Sequence, residues 1–169
     1  MVADCLPVLL TTQDGDVVAA AHAGWRGLAG VGNSSGSGIL ESIYASFSAL
    51  AQSDRAEQAI KSIAWLGPCI GPSAFEVGEE VKAAFTARQP DSVQFFVPAG
   101  PGKYLANLPA LARLRLHALG ITQVYGNDGS PAWCTVNNPS RFFSHRRDAG
   151  ISGNGFGTTG RMAACIWLD

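Results

Sequence analysis

"CLPVLLTTQDGDVVAAAHAG", Cys5 to Gly24, is the stretch that decides the fold. Leu6, Val8, Leu9 and Leu10 make an apolar run up to Thr12, "TQDGD" carries turn-forming residues, and "VVAAAHAG" is a second run of strand-forming and small side chains. The stretch predicts a β-hairpin. Side chains alternate between the two faces of a strand, so the parity of the turn decides which of them share a face. With an even turn Cys5 and His22 share a face, directly opposite or as diagonal neighbours, and a thiolate and an imidazole could then hold one ion. An odd turn separates them. Against that stands the base expectation that one cysteine and one histidine on a buried hairpin are more often packing residues than ligands.

Beyond the hairpin, "GVGNSSGSG" from Gly30 to Gly38 has the composition of a flexible Gly/Ser insertion. Ile39, Leu40, Ile43, Phe47 and Leu50 then recur at helical spacing, and "SDRAEQ" forms a loop before a strand around Ile63 to Leu66. A second helix is expected from Phe75 to Arg88, interrupted by Gly78. Asn107 is placed to cap a third, with Pro109 in its first turn, Gly120 at its end, and Leu108, Leu111, Ala112, Leu116 and Leu119 facing inward. "ITQVYG" (121–126) reads as a strand, "NNPSRFFSHRRD" (137–148) as a short helix or turn, and "GISGNGFGTTG" (150–160) as a loop. "RMAACIWL" (161–168) is apolar on both faces and reads as a central strand. Hairpins mixed with helices favour an α+β fold of layered mixed sheets flanked by helices over a regular βαβ array. One domain over residues 1–169 is expected.

Composition narrows the function. At 169 residues, 47% hydrophobic and 15% charged, the chain can bury a substantial core as a soluble globular domain. Twelve Lys and Arg against 13 Asp and Glu leave a formal charge of -1 and no basic stripe that would track a phosphate backbone, so nucleic acid is excluded as a partner and small substrates are favoured. The apolar runs are far shorter than a bilayer crossing, and no basic-then-apolar signal opens the chain, which predicts no membrane and a cytoplasmic location. There the four cysteines are expected as thiols. The apolar run starts almost directly after Met1, as if an N-terminal part of the domain were absent or supplied elsewhere.

A catalytic zinc needs a third protein ligand beside Cys5 and His22. His117 sits in a regular helical pattern and reads as a helix-surface residue, while Arg146 and Arg147 beside His145 disfavour a cation there. Cys69, in "GPCIGP", lies in a tight turn where its thiol could reach a ligand, although a plain buried cysteine is the commoner case. Cys134 and Cys165 read as structural. A second use for Cys5 and His22 is a cysteine hydrolase, with the thiol as nucleophile and the imidazole as base. Multicopper oxidation requires histidine-rich sites, and the chain has three histidines. An inactive scaffold is the non-enzymatic alternative.

The blocks "ADCLPVLL", "AAAHAGWRG", "AWLGPCIGPSAFEVGEEV", "GKYLANLPALARLRLHALGI", "FFSHRRD" and "TGRMAACIWL" together resemble the polyphenol oxidase, or laccase-domain, family of bacterial purine nucleoside phosphorylases, to which a peptidoglycan-editing factor also belongs. The resemblance spans nearly the whole chain and implies the laccase-domain, cytotoxic-necrotizing-factor-like fold. It further implies a zinc on two histidines and a cysteine, with Cys5 of "ADC" and His22 of "HAGWRG" as the two ligands this sequence matches. The first histidine belongs to a "QVHG"-like upstream motif that this sequence does not contain. Copper, with oxidation of phenols, is the alternative that named the family. The implied substrates are purine nucleosides (adenosine, inosine, methylthioadenosine) and phosphate, with adenosine deamination as a related activity. On that footing Arg26, Arg146 and Arg147 are candidates to place phosphate and stabilise departing charge, with structural ion pairs the alternative for Arg26 and Arg147. Asp4, beside Cys5, is a candidate proton carrier or a supporting residue behind the site. His145 stands where this family often has tyrosine.

Overall fold

The expected hairpin is formed by β1 (Leu6–Thr12) and β2 (Val18–Ala23), paired antiparallel with Leu6 opposite Ala23 and Pro7 opposite His22. In this computed structural model residues 1–33, 37–53, 60–149 and 158–168 are described. Parts of the Gly/Ser stretch (34–36), of the "SDRAEQ" loop (54–58) and of the late glycine-rich loop (150–157) lie outside the described residues. β1 is central: β3 (Ser62–Leu66) pairs antiparallel on its other side, and β7 (Gln123–Gly126) runs parallel to β3, giving the order β2-β1-β3-β7. Alternation then sorts the side chains. Leu6, Val8 and Leu10 of β1, with Ala64 and Leu66 of β3, are fully buried on the inner face, each leucine or valine contributing on the order of 2 kcal/mol by leaving water.

Two helices close that inner face. α2 (Ile39–Gln52) packs on β2 through Leu40 and Phe47, and α4 (Leu108–Ala118) adds Leu108, Leu111, Ala112 and Leu116. α4 starts as its residues dictate: the Asn107 side chain accepts from Ala110 N at 3.1 Å, Pro109 occupies the first turn, and Gly120 beyond the end is left-handed. Leu50, expected inward on α2, is exposed because the buried face of that helix runs through Leu40, Phe47 and Ala51 and Leu50 stands to one side of it. His117 is exposed on α4, as its position in the helical pattern predicts.

Three elements differ from the expectation. The helix foreseen from Phe75 opens instead as a strand, β4 (Glu76–Gly78), and α3 (Glu79–Thr86) begins after extended Gly78. β4 belongs to a second, antiparallel sheet with β5 (Phe96–Gly100) and β6 (Lys103–Ala106), in the order β4-β6-β5. "GWRGLAG" closes the hairpin with a short helix, α1 (Trp25–Ala29), stopped by left-handed Gly30. The third is "RMAACIWL", which is no central strand: among the described residues it pairs only at Met162, by two 2.8 Å bonds with Val2, and its side chains alternate between half-buried and exposed. It runs over the outer face of the first sheet, where Pro7, Leu9 and Trp65 line a cavity of about 590 Å³ together with Phe142 and Met162. β1 already has a ladder partner on each edge, so the segment can only lie across it. A mixed α+β fold results, with two sheets and flanking helices.

Candidate functional site

At the end of the hairpin where β1 starts, Asp4, Cys5, Trp25, Ile70, Phe75, Leu108, His145 and Arg146 surround a cavity of about 150 Å³. Five separate parts of the chain meet there, α4 among them through Leu108. The residues before β1 bring Asp4 and Cys5, α1 brings Trp25, and the turn after β3 brings Ile70. α5 (His145–Asp148) adds His145 and Arg146; its first turn is capped by Ser144, whose hydroxyl accepts from Arg147 N at 3.1 Å. Asp4 is buried, with its carboxylate accepting from the Thr135 hydroxyl and from Arg146 N, both at 2.6 Å. Arg146 sets its guanidinium 5.9 Å from the Phe75 ring centroid and donates to the Glu76 carbonyl at 3.2 Å.

The Cys5 thiol is half-buried, and its pKa is raised. Burial is the main cause, the Asp4 carboxylate adds to it, and the Arg161 guanidinium opposes it. Cys5 is therefore a neutral thiol at neutral pH. Its sulfur lies over Gly24, just beyond the last ladder pair, Leu6 with Ala23. Because Pro7 faces His22, this is the diagonal arrangement of Cys5 and His22. His22 nevertheless opens elsewhere: it is exposed and lines a neighbouring cavity of about 190 Å³ with Val2, Pro7, Leu9 and Met162.

The remaining candidates separate clearly. Arg26 is exposed and stacks on Trp25, its guanidinium 4.5 Å from the centroid of that ring, and Trp25 in turn lines the Cys5 cavity. Arg147 is spent inside the structure: it donates to Asp148, to the carbonyls of Thr135 and Val136, and to Phe142 O, so of the two readings the structural ion pair is the one present. Cys69 is fully buried, with its sulfur accepting from Asn127 and donating to Ile70 O. Burial pushes its pKa far up, and the plain buried cysteine replaces the thiol that reaches a ligand. Cys134 is also buried, its sulfur taking Gly71 N–H, whereas Cys165 is exposed beside the larger cavity.

Sequence reasoning gave no role to two residues near Cys5: His145, which lines its cavity, and Arg161, whose charge acts on its thiol. Flanking arginines argued against a cation at His145, but they do not argue against an imidazole facing an anion site. Arg161 carried no pattern of its own. For a metal, Cys5 and His22 offer one sulfur and one nitrogen, and among the described residues no three His, Cys, Asp or Glu side chains come together as a ligand set. These donors alone do not complete a zinc site.

The sequence pattern of the family described as multi-copper polyphenol oxidoreductase laccase matches residues 1–169. The chain is 42% identical over 170 residues to a Pseudomonas aeruginosa protein named purine nucleoside phosphorylase PA4543, covering 100% of this chain and 59% of that one. It is 45% identical over 168 residues to the Escherichia coli protein named purine nucleoside phosphorylase YfiH, covering 99% and 58%. Among solved structures, Neisseria meningitidis protein NMB0706 superposes with a TM-score of 0.72 at 44% identity, over 88% of this chain and 53% of that one. YlmD from Geobacillus stearothermophilus gives 0.68 at 30% identity, over 90% and 52%. The chain thus spans between half and three fifths of the length of these relatives, and it belongs to the laccase-like family whose pattern it matches from end to end.

Proposed function

We propose that the Cys5 cavity carries out purine nucleoside chemistry, with phosphorolysis of adenosine, inosine or methylthioadenosine as the reaction. The observation that carries this reading is that Arg146, His145, Trp25 and Phe75 line one cavity, with the Arg146 guanidinium near the Phe75 ring. The names of the relatives, purine nucleoside phosphorylases, support it. In phosphorolysis a phosphate oxygen bonds to C1′ while the C1′–N9 bond breaks and its electron pair leaves with the purine. Arg146 is placed to hold the phosphate, and Arg26, stacked on Trp25, adds a second cation. A neutral Cys5 thiol leaves an anion free to approach, whereas a cysteine hydrolase would want the thiolate that burial here disfavours. At about 150 Å³ the cavity is smaller than the ~300 Å³ or more of a whole-ligand pocket. It takes the reacting end of the nucleoside, with the remainder outside.

Zinc, or copper in its place, enters the proposal through Cys5 and His22 as two of its donors, with a further donor needed from beyond the described residues. When bound, zinc supplies a water ionised near neutral pH, which adenosine deamination requires. No step of phosphorolysis is assigned to the ion. Three histidines in the chain weigh against a multicopper oxidase. We place the activity in the cytoplasm, in one domain over 1–169, without a nucleic-acid or membrane partner; no helix among the described residues is long and apolar enough to cross a membrane.

The test is to incubate the chain with inosine, adenosine or methylthioadenosine, each with and without phosphate, and to quantify the free base and the sugar 1-phosphate. Product only with phosphate, and a KM for phosphate raised about tenfold or more in Arg146→Ala, is expected. No product from any of the three nucleosides sinks the reading, and product without phosphate would make the chain a hydrolase.

A further inference from the structure

Asp4 is the one non-glycine among the described residues with a left-handed backbone, at φ 83°. Aspartate tolerates that region better than most residues, yet the conformation persists only where its surroundings over-determine it. Three contacts do so here. The Asp4 carbonyl accepts from Ile70 N at 2.9 Å, Oδ1 accepts from the Thr135 hydroxyl, and Oδ2 accepts from Arg146 N. The turn after β3, the loop that holds Thr135 and the start of α5 are thereby tied to the residue beside Cys5. Relaxed, extended backbone at position 4 would carry the carboxylate away from all of them.

What the carboxylate fixes matters most at α5. That helix runs over four residues only, too short to hold itself by its own hydrogen bonds. Ser144 takes the N–H of Arg147 and Asp4 takes the N–H of Arg146, so the position of the first turn is set from outside the helix. His145 and Arg146 face Cys5 because that turn is pinned to the segment that carries Cys5. Both Asp4 oxygens are occupied in doing this, and the residue is 9% exposed.

We propose that Asp4 is the positioning residue of this cavity: its strained backbone and buried carboxylate hold α5 so that Arg146 meets phosphate at the Cys5 site. Asp4 itself does not touch the reacting atoms. The inference rests on the reading above that Arg146 receives phosphate.

The experiment compares wild type, Asp4→Asn, Thr135→Val and Arg146→Ala as full chains, with inorganic phosphate titrated calorimetrically and the KM values for phosphate and inosine measured separately. Asparagine tolerates the left-handed backbone, and Thr135→Val leaves the charge of Asp4 in place. Phosphate affinity and KM should weaken about tenfold in Asp4→Asn and about threefold in Thr135→Val, with the KM for inosine within about twofold. A lowered unfolding midpoint with unchanged phosphate affinity would reduce Asp4 to a structural residue and overturn the proposal. A second readout does not depend on phosphate: the rate at which iodoacetamide modifies the peptide containing Cys5, followed by mass spectrometry. Release of α5 should uncover the thiol and speed this about fivefold in Thr135→Val, where no charge has changed. If wild type binds no phosphate, the reading of Arg146 falls, and an unchanged alkylation rate in both variants then overturns the positioning role as well.

Discussion

The sulfur of Cys5 lies over Gly24, 3.0 Å from the point where a β-carbon would stand on that residue. Gly24 has φ -69° and ψ 159°, a conformation open to any residue, so the glycine serves space and not backbone freedom. It lets the chain just before the last ladder pair, Leu6 with Ala23, bring the thiol against the start of α1.

Gly24→Ala should therefore fold, because only the end of a short side chain has to give way, at a cost of about 1 kcal/mol. The cost should vanish when Cys5→Ala is added, since the clash is with the sulfur. Urea unfolding of the two single variants and the double variant measures the coupling. Strictly additive losses would show that the two residues do not press on each other.

Gly126, the last residue of β7, behaves differently. Its φ is 80°, and a β-carbon there would stand 2.3 Å from the Leu66 carbonyl oxygen and 2.9 Å from Trp65 Nε1. Both the conformation and the backbone contact resist a side chain, so Gly126→Ala should cost about 3 kcal/mol or more. Asn127 next to it donates to Leu66 O and Gly67 O, and the displaced strand end would lose those bonds too. A loss under about 1 kcal/mol in chemical denaturation would mean the strand end relaxes freely.

Arg115 of α4 and Glu41 of α2 form an ion pair at 2.7 Å, with the arginine side chain 8% and the glutamate 26% exposed. Removing one partner strands the other in a poorly solvated place. Arg115→Met should cost about 3 kcal/mol, discounted from the fully buried case because Glu41 is partly wet. Adding Glu41→Gln should restore much of that loss, since the pair is worth far less than the penalty for an orphaned charge. A double variant no better than Arg115→Met would assign the loss to packing of the arginine stem instead.

The hairpin and α4 were legible because local and global signals agree in them. Alternation, turn residues and a complete set of cap residues all name one structure. The second sheet was hidden, since β4 spans Glu76–Gly78 only and is followed at once by α3, where a helical pattern absorbs it. "RMAACIWL" misled for a physical reason: apolar side chains on both faces suit a central strand, but they suit equally a segment laid across the outer face of a sheet whose central strands are already paired. At the site, parity could give the register of the hairpin, in which Pro7 faces His22, but not that Cys5 and His22 open into different cavities. The arrival of His145, Arg146 and Thr135 around Asp4 depends on a contact across more than a hundred residues, which no local spacing announces.

The buried thiols make stability depend on alkaline pH. The pKa values of Cys69 and Cys5 are both raised in the folded chain, Cys69 by burial, which outweighs the hydrogen bond from Asn127, and Cys5 by burial and then Asp4, against Arg161. In the unfolded chain these thiols titrate near the ordinary value of about 8.5. Below that pH both states keep the protons and the folded chain has its full stability. Above it the unfolded chain releases protons that the folded chain retains, so stability falls as pH rises, by up to about 1.4 kcal/mol per pH unit for Cys69. Urea unfolding under reducing conditions at pH 7, 8, 9 and 10 should show the decline setting in above about pH 8.5. Cys69→Ala should begin less stable at pH 7, because it leaves a small void, yet lose less between pH 8 and 10. Lysines and tyrosines titrate equally in both proteins, so the difference in slope isolates Cys69. Parallel curves would mean that its thiol ionises as easily in the fold as outside it, which a sulfur that is 0% exposed does not permit.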